Sequence, residues 1–159
     1  MAHGTGLAFE ATVGHLVSAT RKLAAVATPE EARQKLYRAV RGELPRGFWV
    51  PDDLGVVCAT DTAFMSTSRS KRTPIDYMGD DDAKVLWELS PCEESDSAYH
   101  VGADISRLSQ FAAEQEVLFP PCSMLTVVQK PCDTPLHPPP ITEEGGKPFV
   151  AVGVQPSFV

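Results

Sequence analysis

Beyond residue 35, apolar residues in this chain come in short runs, each closed by a proline, a glycine or a serine-containing step. Fourteen prolines and 11 glycines punctuate the 159 residues, so most of the chain reads as short extended segments rather than helices. Only the beginning differs. From Val13 to Ala27 the positions Val13, Leu16, Val17, Thr20, Leu23, Ala24 and Ala27 form a helical stripe. Thr28-Pro29-Glu30-Glu31 then supplies a cap, a first-turn proline and a glutamate three residues after the cap. That pattern predicts a second, short helix to about Lys35.

Strands are expected at Leu36–Arg41, Val56–Cys58, Phe64–Ser68, Val85–Leu89, Glu114–Phe119, Met124–Gln129 and Phe149–Val154. Between them, Asp104 to Gln110 has room for one helical turn, Phe111-Ala112-Ala113 reads as loop, and residues 131–140 form a proline-rich loop. Helices first and strands after predict an α+β fold with segregated elements. No repeat or linker divides the chain, so residues 1–159 are expected to form a single domain, long enough to bury about two-thirds of its surface.

Fourteen Lys and Arg against 21 Asp and Glu give a net charge of -7, which argues against nucleic acid as a partner through bulk electrostatics. No apolar run approaches the roughly 20 residues that span a bilayer, so no membrane insertion is expected. The first residues, MAHGTGLAFEATVGHLV, lack a basic n-region and an unbroken apolar stretch. Read as a full-length chain, this is a cytoplasmic protein. Cys58, Cys92, Cys122 and Cys132 are scattered without a C-x-x-C pair or a matching histidine cluster, so no metal is expected. Buried free thiols are the preferred reading, with one or two disulfides left open. Trp49, Trp87, Tyr77 and Phe119 are assigned to the core, and His3, His15, His100 and His137 receive no catalytic role.

Three segments carry candidate chemistry. Arg38 follows Tyr37 on an expected strand, and an arginine there is either paired structurally or a fixed cation awaiting an anion. In Ser66-Thr67-Ser68, alternation places Ser66 and Ser68 on one face and Thr67 on the other. Two hydroxyls on one face suit a carboxylate or a sugar, or are simply a polar strand face. In Glu114-Gln115-Glu116, spacing on a strand puts both carboxylates on one face, at a cost unless a cation lies over them. The alternative is ordinary charge on an edge strand.

In order and spacing, Arg38, Ser66-Thr67-Ser68 and Glu114-Gln115-Glu116 resemble the R-S-E class of mono-ADP-ribosyltransferases, the cholera-toxin-like group. Leu36-Tyr37-Arg38, Phe64-Met65-Ser66-Thr67-Ser68, Gly102-Ala103-Asp104-Ile105, Leu108-Ser109-Gln110-Phe111 and Glu114–Pro121 carry the resemblance. It implies the ADP-ribosyltransferase fold, with two packed, mainly antiparallel sheets around an NAD cleft. NAD would be a consumed substrate. The activity implied is transfer of ADP-ribose to an arginine of a target protein, with release of nicotinamide.

By the same resemblance, Glu116 would stabilise the oxocarbenium-like ribose and Ser66 would orient Glu116. Arg38 would hold the NAD phosphates, with Ala39, Thr67 and Ser68 beside the dinucleotide. Glu114 would position an acceptor guanidinium. Ser109, Gln110 and Phe111 would form a substrate-recognition loop, although a lone aromatic at a turn also packs locally. One departure stands out: the family usually has glycine after the arginine, and its backbone grips the nicotinamide carboxamide, whereas Ala39 stands here. Two alternatives therefore stay open. One is an NAD glycohydrolase that uses water; the other is an inactive NAD- or protein-binding module of the same fold.

Overall fold

A computed structural model describes residues 9–79, 84–91, 100–128 and 139–158. Cys92, Cys132, His3, His137 and residues 131–138 of the loop expected at 131–140 lie outside the described residues.

The first helix, α1 (Glu10–Ala24), lies three residues earlier than its stripe suggests. Only Thr20 and Ala24 of it are buried, while Val13 and Leu16 stay exposed. Helix α2 (Pro29–Arg33) forms the expected capping box. The Thr28 N–H donates to Glu31 Oε2 at 2.8 Å, and the Glu31 N–H donates to Thr28 Oγ1 at 3.3 Å. Gln34 is already extended, and the chain runs straight into β1 (Leu36–Arg41).

After a 3-10 turn at Arg46–Trp49 come β2 (Cys58–Asp61), β3 (Met65–Ser68), the short helix α3 (Arg72–Asp76) and β4 (Lys84–Leu89). Strands β5 (Ala103–Asp104), β6 (Glu116–Phe119), β7 (Ser123–Val127), β8 (Ile141–Glu144) and β9 (Lys147–Phe158) complete the described chain. The strands follow one hydrogen-bonded path, β2-β7-β9-β4-β1-β3-β6-β5, with β8 added to β9. All pairs are antiparallel except β4–β9. The path has one weak link. Strands β1 and β4 pair along six residues, from Leu36↔Leu89 to Arg41↔Lys84, whereas β1 and β3 share only Tyr37↔Ser68. The two expected sheets are thus β2-β7-β9-β4-β1 and β3-β6-β5, joined at that single pair.

Strand β4 is central because both of its faces are covered. Val85, Trp87 and Leu89 enter the main cluster with Leu36, Met65 and Phe119, and Leu86 enters a smaller one with Ile75, Met78 and Phe149. The two-residue period of a strand requires this division. Alternation along β1 likewise puts Leu36, Arg38 and Val40 on the main side, and Tyr37 and Ala39 against the cluster beneath α3. Helix α1 packs on β5. Just before β5, Gly102 permits a close approach to β6, since a Cβ on it would stand 2.5 Å from Val117 Cγ1 and 2.7 Å from the Phe119 ring.

Several expectations need correction. Glu114 is not in a strand: a 3-10 turn covers Ala112–Glu114, and the ladder begins at Glu116. By contrast, the one turn expected between Asp104 and Gln110 does form, closed by Leu108 and Ser109 N–H groups on Ile105 O. Tyr77 is 66% exposed rather than in the core, unlike Trp49, Trp87 and Phe119. Cys58 and Cys122 are exposed free thiols, one on the terminal strand β2 and the other in a left-handed turn after Pro121. Among the described residues, no helix is long and apolar enough to cross a membrane.

Candidate active site

The weak link between β1 and β3 is where the sheet opens. Backbone pairing stops after Tyr37↔Ser68, and the Arg38 side chain spans the gap that follows. Its Nη1 donates to the Ser66 carbonyl at 3.0 Å, and its Nη2 donates to Asp61 Oδ2 at 3.0 Å. A planar guanidinium suits this task, because its donors point to two acceptors in fixed directions. Asp61 is fixed in turn, with its other oxygen accepting from the Ala63 N–H at 3.1 Å.

On the far side, β3 pairs with β6 from Met65↔Phe119 to Ser68↔Glu116. Ser66 is the exposed residue of β3, and its hydroxyl donates to Glu116 Oε1 at 2.5 Å. A short bond to an ionised acceptor is a strong one. The other two hydroxyls of the segment hold the backbone. Thr67 Oγ1 donates to Val117 O at 2.7 Å, and Ser68 Oγ donates to Glu114 O at 2.6 Å. Ser66 and Ser68 therefore do not present matching hydroxyls, since the buried Ser68 is spent on the chain that carries Glu114.

That bond explains why Glu114 leaves the strand. Arg69 N–H still makes the in-register bond to Gln115 O at 3.2 Å, but Gln115 N–H turns back to Ala112 O at 3.2 Å and Ser68 Oγ takes the Glu114 carbonyl, so the ladder ends there. Gln115 adopts the left-handed conformation, with φ 49° and ψ 50°. This reversal brings the carboxylates of Glu114 and Glu116 to one cleft, which strand alternation was expected to do.

The cleft has a volume of about 230 Å³. Strand β1 contributes Tyr37, Arg38 and Ala39 to its walls, and β3 contributes Ser66, Thr67 and Ser68. Glu114 and Glu116 face them, and Thr73, Pro74 and Tyr77 enter from α3. The Tyr77 hydroxyl donates to Glu114 Oε1 at 2.5 Å. This bond to a carboxylate raises the phenol pKa above its usual range. Ser109, Gln110 and Phe111 are not among the cleft walls. They lead into the 3-10 turn, where Glu114 N–H donates to Phe111 O at 2.9 Å and the Phe111 ring is 62% exposed. Among the described residues, no histidine lines the cleft and no group of three or more His, Cys, Asp or Glu is placed to hold a metal ion.

Sequence reasoning missed Asp61 and Tyr77. Asp61 lies three residues beyond the strand expected at Val56–Cys58, since β2 runs from Cys58 to Asp61, and nothing in its spacing marks it as the partner of an arginine 23 positions away. Tyr77 follows a five-residue helix that contains a proline, too short to show periodicity.

Compared by sequence, the chain matches no protein-family model and no curated protein. Solved structures do resemble it. The ADP-ribosyltransferase HopU1 of Pseudomonas syringae pv. Tomato DC3000 superposes with a TM-score of 0.56 and 22% identity, over 97% of this chain and 60% of that one. The ADP-ribosyltransferase Vis from Vibrio splendidus, in complex with agmatine, gives a TM-score of 0.56 at 16% identity, over 97% of this chain and 63% of that one. The chain thus has the ADP-ribosyltransferase fold and spans somewhat under two-thirds of the length of these proteins.

Proposed function

We propose that this cleft breaks the nicotinamide–ribose bond of NAD and transfers ADP-ribose to an arginine side chain of a protein. The observation that carries the reading is the bond from Ser66 to Glu116. A carboxylate held in one orientation beside a cleft is what an oxocarbenium-like ribose needs, because fixed charge stabilises the cation without reorganising. Ser66 occupies Oε1, and among the described residues nothing engages Oε2, which is left for the ribose 2′-OH. The bonding pair departs with neutral nicotinamide, and the acceptor nitrogen then attacks C1′ and gives up one proton to solvent.

Arg38 has two roles in this scheme. Its bonds to Ser66 O and Asp61 keep β1 and β3 at the spacing that forms the cleft, and its remaining N–H donors meet the phosphates. Ala39, Thr67 and Ser68 flank the dinucleotide. Glu114, brought beside Glu116 by Gln115, meets the acceptor guanidinium, and the exposed Phe111 loop faces the target protein. The fold it shares with Vis, which was solved with the guanidino compound agmatine, supports this choice of acceptor. Water is the alternative acceptor, and the same cleft residues would serve it.

Nicotinamide release from NAD, measured with and without agmatine, tests both. Release that rises with agmatine and is lost in Glu116→Gln is the expected result. Release that ignores agmatine makes the chain an NAD glycohydrolase. If neither protein releases nicotinamide yet NAD still binds, the fold serves only as a binding module.

A further inference from the structure

Tyr77, the first residue past α3, is 66% exposed, and a phenol so placed ordinarily turns to water. This one bonds a carboxylate 37 positions further along the chain. The short helix that carries it is held at both ends by one hairpin. Lys147 Nζ donates to the carbonyls of Ile75 at 3.0 Å, Asp76 at 2.9 Å and Met78 at 2.7 Å, on either side of Tyr77. Lys71, just before α3, pairs with Glu144 at 3.0 Å. Glu144 and Lys147 face each other across the Gly145-Gly146 turn of the β8–β9 hairpin. A five-residue helix cannot hold itself in water, so these contacts keep it where Tyr77 reaches Glu114.

We infer that Tyr77 is a specificity-determining positioning residue for the acceptor, an inference that rests on the reading of Glu114 given above. By occupying Oε1, the phenol leaves Glu114 a single oxygen for the guanidinium and fixes where that oxygen stands relative to Glu116. Bond cleavage depends on Ser66 and Glu116, whereas the choice between guanidinium and water depends on Tyr77 and Glu114. Lys147 supports that choice from outside the cleft, through the carboxyl end of α3.

Tyr77→Phe removes the hydroxyl and keeps the ring. The readouts are KM for agmatine, KM for NAD, and the ratio of ADP-ribosyl-agmatine to free ADP-ribose. In the variant, KM for agmatine is expected to rise about 3- to 10-fold, the worth of one exposed hydrogen bond. KM for NAD moves by less, and the product ratio shifts toward hydrolysis. Lys147→Met is expected to shift the ratio in the same direction. A Tyr77→Phe protein with the wild-type agmatine KM and product ratio overturns the inference. An equal rise in both KM values does so too, since that marks general damage to the cleft. Wild-type protein that cleaves NAD without any response to agmatine instead overturns the reading of Glu114, and this inference falls with it.

Discussion

Arg38 Nη1 meets the Ser66 carbonyl at 3.0 Å across the one place where the sheet is nearly unpaired. The guanidinium replaces backbone bonds that β1 and β3 do not make, and the residue it holds is the one that orients Glu116. Arg38→Lys is expected to lose both the fork and its fixed direction, because an ammonium on a flexible stem cannot satisfy Ser66 O and Asp61 together. Destabilisation of about 1–3 kcal/mol is expected, together with loss of most nicotinamide release. Denaturant titration and the release assay check the two halves. Unchanged stability would mean that the bridge does not hold the strands.

Ser66→Ala separates orientation from structure. Ser66 is exposed and its hydroxyl has a side-chain partner, so stability should change by less than about 1 kcal/mol. Nicotinamide release should fall about 10- to 100-fold, because Glu116 is no longer held in one direction. Equal activity in the variant would show that Glu116 needs no such restraint.

How much of this was legible depended on the range of the interaction. Thr28 and Glu31 were readable because a capping box is settled within four residues, and it formed as expected. The strands carrying Arg38, Ser66 and Glu116 were readable from local alternation. The three segments could then be assembled only through a resemblance, since nothing local says that β3 lies between β1 and β6. Glu114 shows the limit. Its backbone is diverted by Ser68, 46 positions earlier, so a strand pattern drawn through residues 114–116 failed, although both carboxylates reach the cleft. Strand β8 was missed as well, because all four of its residues are exposed and show no inside–outside contrast. Its only signal was Gly145-Gly146, whose positive φ values of 62° and 76° make the tight hairpin turn.

Gly102 is needed for close packing rather than for a turn. A methyl group there meets Val117 and Phe119, both buried and fixed in the sheet, so neither can give way cheaply. Gly102→Ala is expected to destabilise the protein by about 1–3 kcal/mol by overpacking. The midpoint of urea unfolding measures this. An unshifted midpoint would mean that β5 moves off β6 without cost.

Asp104 sets the acid limit of the same region. Partial burial opposes its ionisation, but hydrogen bonds from Ser106 and Arg69 outweigh that and hold the carboxyl at about 2. Arg69 Nη1 donates to Asp104 Oδ2 at 2.5 Å, and the Arg69 N–H holds the Gln115 carbonyl. In the unfolded chain an aspartate titrates near about 3.9. The folded state therefore favours the ionised form, and its contribution is complete above about pH 4. It is lost progressively as pH falls through the folded value of about 2. Asp104→Asn should flatten the acid side of a stability profile between about pH 4 and 2 and leave its neutral side lower. Chemical denaturation at stepped pH provides the measurement. A wild-type profile already flat over that window would show that Arg69 and Ser106 do not hold the carboxylate in solution.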